Sequence, residues 1–126
     1  MANTAMLQKL ADVFTAKSPV GHWWYQRVSA LALVPLSLWL IAFFNQALHA
    51  PYRETLLWLS APANALAVLA WTLAAVYHAA LGVQVIVEDY VSTLSLRHGV
   101  IRISNGLFLV VGIAALAAIV FILTAR

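Results

Sequence analysis

The sequence predicts an all-α integral membrane fold with three transmembrane helices, and three observations carry that prediction. Of 126 residues, 64% are hydrophobic and only 9% are charged, and the mean hydropathy is +0.92, far from the composition of soluble domains. Three apolar runs, Val28–Leu48, Ala63–Val87 and Ile103–Ala125, measure about 21, 25 and 23 residues against the roughly 20 that cross a bilayer as a helix. Between them lie only two polar connections, HAPYRETLLWLSAP and EDYVSTLSLRHGVIR, which hold most of the charges. No stretch remains for a separate soluble domain, so residues 1–126 read as one membrane-embedded unit.

Residues 1–27 contain Lys9, Asp12 and Lys17 without an apolar core of signal-peptide length, and the first apolar run is too long for one. They are expected to form a retained segment with a short amphipathic piece, MLQKLADVF. The first span, 28–48, is preceded by Trp23, Trp24 and Tyr25, the amphipathic aromatics that favour a membrane–water interface. Pro35 lies inside it, and membrane helices tolerate such a proline with a modest kink. Tyr52 and Trp58 then mark the interface of the first connection. The second span, 63–87, closes at Tyr90. In the third, 103–125, Gly106 and Gly112 suggest a close helix approach, although six residues apart they lack the small-xxx-small spacing.

The start of the first span and the end of the second face the same side of the membrane. That side carries Lys9, Lys17, Arg27, Arg97 and Arg102, and the other Arg53 and Arg126. Basic short loops stay on the side of synthesis, which predicts a cytoplasmic N-terminus. The basic residues are spread along membrane-proximal segments without clustering, so the net charge of +3 does not indicate nucleic acid; Arg97, His98 and Arg102 read as a solvated face. There is no cysteine, which excludes disulfides, thiolate metal sites, iron–sulfur ligation and covalent haem attachment.

Ionisable groups inside a span are costly and usually face a cavity, a partner or a cofactor. His78, in YHAALGVQVIVEDYV, is such a group, about ten residues from the end of the second span and so roughly 15 Å along the axis. At 100° per residue, Gly82, Val85 and Asp89 follow it on one face. Gly82, one turn away, leaves a groove beside the imidazole wide enough for a flat macrocycle, and neutral imidazole is a common axial ligand of haem iron. The alternative is an imidazole hydrogen-bonded to a carbonyl or a Ser/Thr of a neighbouring helix. Arg27 stands on the same side as Glu88, Asp89 and Tyr90, so a cation, carboxylates and a phenol can converge above His78. Each also has a plainer reading, as basic anchor, solvated helix end or interfacial aromatic.

The pattern H-x3-G-x6-D-Y, formed by His78, Gly82, Asp89 and Tyr90, resembles the second helix of the smaller, D-type membrane anchor of succinate dehydrogenase, respiratory complex II. The segment HWWYQRVSALALVPLSLW is similar to the start of the first helix in bacterial members, and the three-span layout extends the resemblance over nearly the whole chain. The resemblance implies a single membrane-anchor domain that joins a heteromeric helix bundle with a second, C-type anchor. It implies that His78 is an axial ligand of a b-type haem, with the other axial histidine supplied by that C-type anchor. It further implies that Tyr90 hydrogen-bonds a ubiquinone carbonyl with Asp89 beside it, and that Arg27 lies near the haem propionates and the quinone. In the same opening segment it implies His22 as a further haem-binding residue, although the spacing of the histidine to the arginine varies among members.

Quinone reduction takes two electrons and two protons, and half-reduced quinone carries negative charge, so donors and cations nearby favour it. Tyr90 can donate, Arg27 can stabilise, and Asp89 or Glu88 can relay protons from the aqueous side. Nothing in the chain oxidises succinate: it has no nucleotide-binding glycine loop and no cluster cysteines. The resemblance assigns those functions to an iron–sulfur subunit and a flavoprotein subunit docked on the cytoplasmic face of a bacterial inner membrane, with a processed chain of the mitochondrial inner membrane as the alternative. Two other readings remain open at this stage, a fumarate reductase anchor of the same architecture and a haem-free transporter or structural subunit using His78 and Asp89 as a proton path.

Overall fold

A computed structural model describes residues 4–9 and 18–125. Residues 4–9 are helical; the remainder of the expected amphipathic piece lies outside the described residues. Four helices follow, α1 Pro19–His49, α2 Tyr52–Leu59, α3 Pro62–Tyr90 and α4 Leu94–Thr124. Three of them, α1, α3 and α4, are long and apolar enough to cross a membrane; α1 and α3 contain the first two expected apolar runs, and α4 covers the third up to its last residue, Ala125, which is the C-cap.

Each long helix continues beyond its apolar run, because hydropathy marks the hydrocarbon layer whereas helix ends are set by caps and prolines. The first begins at Pro19, well inside what the sequence suggested was an N-terminal segment. Ser18 is its N-cap, its hydroxyl accepting from Gly21 N at 2.9 Å, and Pro19 occupies the first turn, where a missing N–H costs nothing. The helix runs on through Pro35 to His49. Most of the second polar connection is also helical, leaving only Val91–Thr93 between α3 and α4. Arg97 donates from Nε to Val91 O at 2.9 Å, satisfying a carbonyl at the end of α3 as basic side chains near helix C-termini do. Arg97 thus has a capping role that its expected solvated position did not suggest.

The first connection contains α2, bracketed by Pro51 and Pro62, with Glu54 in its first turn where a negative charge suits the helix dipole. Trp58 folds back onto α1, stacking on Phe43 at 4.4 Å and on Trp39 at 5.4 Å between ring centroids. Asn64 Nδ2 donates to Trp58 O at 2.9 Å, fixing the turn into α3. Trp58 is therefore an anchor for the α1–α3 connection as well as an interfacial aromatic.

Helix α3 is the hub, packing against α1, α2 and α4. Near the bilayer centre Trp71 Nε1 donates to Ser37 Oγ at 2.9 Å, joining α3 to α1; interhelical hydrogen bonds of this kind contribute about 0.6 kcal/mol each. On its other side α3 approaches α4 at Gly112, where a Cβ would lie 3.9 Å from Leu73 Cδ2. Gly106 has open space beside it, so only one of the two glycines serves a close approach.

Very little of this apolar surface is covered. Leu40, Ala65, Leu81, Val87 and Ile119 are the buried hydrophobic side chains among the described residues, and the chain exposes 9161 Å², against roughly 6,600 Å² for a compact soluble protein of this mass. Leu31, Leu38, Ile41, Ile103, Val110 and Phe121 all face outward from the long helices. In hydrocarbon such surface needs no protein cover, and it is also the surface against which further membrane helices can pack.

Candidate functional site

The polar residues of the membrane interior gather between α1 and α3. These helices run antiparallel, and His78 lies 12 residues before the end of α3 while Ser29 lies 10 residues after the start of α1. At 1.5 Å per residue those offsets are about 18 and 15 Å, which brings the two side chains to similar depth. His78 Nδ1 lies 2.9 Å from Ser29 Oγ, and Nε2 lies 3.4 Å from Gln26 Nε2. Ser29 Oγ also donates to Gln26 O at 2.9 Å. Ser29 is the buried polar residue of the described chain, 7% exposed.

Around this cluster opens a cleft of about 740 Å³ lined by Ser18, His22, Gln26, Arg27, His78 and Gly82, with Glu88 at its rim. This lies within the usual range of cofactor and small-molecule sites, about 300–1,000 Å³. Two buried polar atoms on its wall, His22 Nε2 and Gln26 Oε1, have no hydrogen-bond partner among the described residues. Orphaned polar atoms at a buried site are costly, and a ligand that brought a donor to Gln26 Oε1 and a polar partner to His22 Nε2 would satisfy them. Gly82 lines the cleft, and the space beside it is taken by the end of the Gln26 side chain, whose Nε2 a Cβ there would meet at 3.4 Å.

The expected site residues do not all meet. His78, Gly82, His22 and Arg27 share the cleft. The Arg27 guanidinium lies over the Trp23 ring, 4.3 Å from its centroid, an arrangement that holds the cation at the mouth of the cleft. Asp89 and Tyr90 stand outside its lining at the end of α3, where Tyr90 is 84% exposed. Glu88 faces the cleft instead, accepting from Gln84 Nε2 at 2.8 Å. Gln26 and Ser29 were not singled out in the sequence. The available signal was their phase: His22, Gln26 and Ser29 recur at i, i+4 and i+7, one helical face, at the entry to the first apolar run.

Three apolar crossing helices with an intramembrane histidine in a polar cleft define an integral membrane subunit built around a site between its first two spans. The chain belongs to the succinate dehydrogenase/fumarate reductase transmembrane subunit family, which it matches over residues 3–124. It is 37% identical over 118 residues to the succinate dehydrogenase hydrophobic membrane anchor subunit of Rickettsia bellii, covering 93% of each chain. The corresponding subunit of Rickettsia conorii is 36% identical over the same length and coverage. The succinate dehydrogenase membrane anchor subunit of Reclinomonas americana is 30% identical over 91 residues, 68% of this chain and 74% of its own. No solved structure matches the chain significantly. The three apolar helices and this family make it a multi-pass membrane protein, and the Rickettsia relatives point to a bacterial inner membrane.

Proposed function

We propose that this chain is the anchor through which the soluble part of succinate dehydrogenase reaches membrane quinone, holding one side of a haem b at His78 and one side of a ubiquinone-reduction site at the adjoining helix ends. The observation that carries the proposal is the cleft itself, an imidazole inside a membrane-spanning helix beside a glycine, with unpartnered polar atoms on the wall. Among the described residues no three His, Asp or Glu cluster to hold a metal ion. A lone imidazole suits a metal whose other ligands come mostly with it, as a porphyrin's do.

His78 is the side chain that would ligate haem iron, and Gly82 leaves room for the ring. Gln26, on a flexible side chain, is the group that withdraws from Nε2. His22 and Arg27 at the mouth would meet the propionates, pairing the guanidinium with carboxylate. Haem b, when bound, supplies a one-electron relay. Arg27 and Tyr90 would orient and polarise a quinone head group between this chain and its partners, and Glu88 or Asp89 would carry protons in from the cytoplasmic side. A C-type anchor would supply the second axial histidine, because His78 is the one histidine of this chain deep within a span. His49, at the far end of α1, is instead bonded to Asn45 O at 2.7 Å.

Purification of the complex through an affinity tag on this chain tests the proposal. Flavoprotein, iron–sulfur and second anchor subunits are expected to co-purify, with a b-type absorption band on reduction by succinate. Purification with those subunits but without haem removes the haem half of the reading. A tagged chain that brings none of them removes the anchor role in a succinate-oxidising complex.

Gly82 offers a steric check. Replacement by alanine is expected to leave haem content near normal, because the atom met at 3.4 Å is the mobile end of Gln26. Gly82→Val is expected to lose most of the haem, measured per assembled complex by pyridine haemochrome. Equal haem in both variants would mean that the ring does not lie against this face of α3.

A further inference from the structure

We infer that Ser29 is a positioning residue for His78: its hydroxyl oxygen accepts a hydrogen bond from His78 Nδ1–H, which leaves the lone pair on Nε2 and sets the electron-donating strength of that nitrogen. The inference rests on the haem reading of His78 and deepens it.

Two independent observations set the tautomer. The single proton of the Ser29 hydroxyl is directed to Gln26 O at 2.9 Å, the back-bond to the preceding turn that serines in helices form. Toward His78 Nδ1, 2.9 Å away, the oxygen has only lone pairs to offer, so the imidazole is the donor. On the opposite edge of the ring Nε2 lies 3.4 Å from the Gln26 side-chain amide, longer than a well-formed hydrogen bond, so no close acceptor holds a proton on Nε2. Both contacts therefore leave Nε2 as the ring's basic nitrogen. The nitrogen that binds a metal is fixed by the hydrogen bond the other one makes.

Burial makes the arrangement specific. Ser29 is 7% exposed, so no water competes for the bond, and the back-bond restrains its rotamer. The χ1 and χ2 freedom of His78 is thereby removed before any ligand arrives. Hydrogen-bonded partners of this kind raise the basicity of a ligating imidazole and orient its ring. A more basic axial ligand favours ferric over ferrous iron, which holds the reduction potential down.

The test uses the complete complex purified from membranes carrying Ser29→Ala, Ser29→Thr or His78→Ala. Ser29→Ala is expected to retain haem, with its midpoint potential shifted upward and its low-spin EPR signal moved. Ser29→Thr, which keeps the hydroxyl, is expected to return both toward the parent values, a rescue that mere space-filling would not produce. Should Ser29→Ala fail to assemble, Ser29→Cys keeps the volume with a weaker acceptor and is expected to shift both readings the same way by less. If His78→Ala loses normal haem while Ser29→Ala, or Ser29→Cys in its place, matches the parent in potential and EPR signal, the Ser29 assignment is overturned and the ligand reading stands. If His78→Ala leaves haem unchanged, both are overturned.

Discussion

Replacement of His78 by alanine is expected to leave a complex that assembles and oxidises succinate with a soluble dye, but that lacks normal b-type haem. Loss of even a supporting residue around a metal lowers affinity about 10- to 100-fold, and loss of the ligand itself is expected to reach or exceed the upper value. No other histidine of the chain can substitute. His22 is at the mouth of the cleft, nearly two turns of α1 before Ser29, and His49 is engaged with Asn45 O at the far end of the same helix. The fold tolerates the change, because His78 is joined to α1 by side-chain bonds worth roughly 0.6 kcal/mol each, while Trp71, Ser37 and the Trp58 stack hold α1 and α3 together elsewhere. The measurement is the reduced-minus-oxidised spectrum per assembled complex. An undiminished b-band with unaltered position would remove His78 from the ligand set.

The second large effect is expected at Tyr90. Tyr90→Phe is predicted to lower succinate:ubiquinone turnover by about 100-fold, the scale on which a preorganised donor to developing negative charge acts, with dye-linked succinate oxidation unchanged. The residue is 84% exposed in the isolated chain and is not part of the cleft lining, so its role requires cover from a partner subunit over the end of α3. That requirement distinguishes it from an interfacial aromatic, for which phenylalanine is a near-equivalent and the expected change is within about twofold. The paired assay separates a quinone-site defect from a general loss of the complex. Arg27, held over Trp23 at the cleft mouth, is on the same side, and Glu88 rather than Asp89 lines the cleft. If protons reach the cleft from this end, Glu88 is the carboxylate expected to carry them, with Asp89 beside Tyr90 at the helix end.

Hydropathy located the three apolar runs but missed where their helices end, because Ser18 and Pro19 start α1 and Arg97 caps α3 in stretches too polar for a hydrophobic window. Helix α2 was hidden for the same reason, since eight residues between two prolines carry no spanning signal. His78 and Gly82 stood out from their spacing on one helix. Their partners on α1 did not, because Gln26 and Ser29 are ordinary polar residues until another helix is laid beside them.

The sequence by itself determined that this chain lives in a membrane, crosses it three times, and carries one costly histidine at depth on the second span. Those are properties of composition, length and local spacing, which each segment holds alone. Only the tertiary structure decided that Nδ1 of that histidine lies against Ser29, that Glu88 turns toward the cleft while Tyr90 stands away from it, and that α3 is the hub of the packing. Such choices depend on the axial register and rotation of α1 against α3. Few buried contacts set that register: in an apolar solvent there is no general hydrophobic drive between helices, so packing at a few small residues and hydrogen bonds such as Trp71 to Ser37 and His78 to Ser29 decide it.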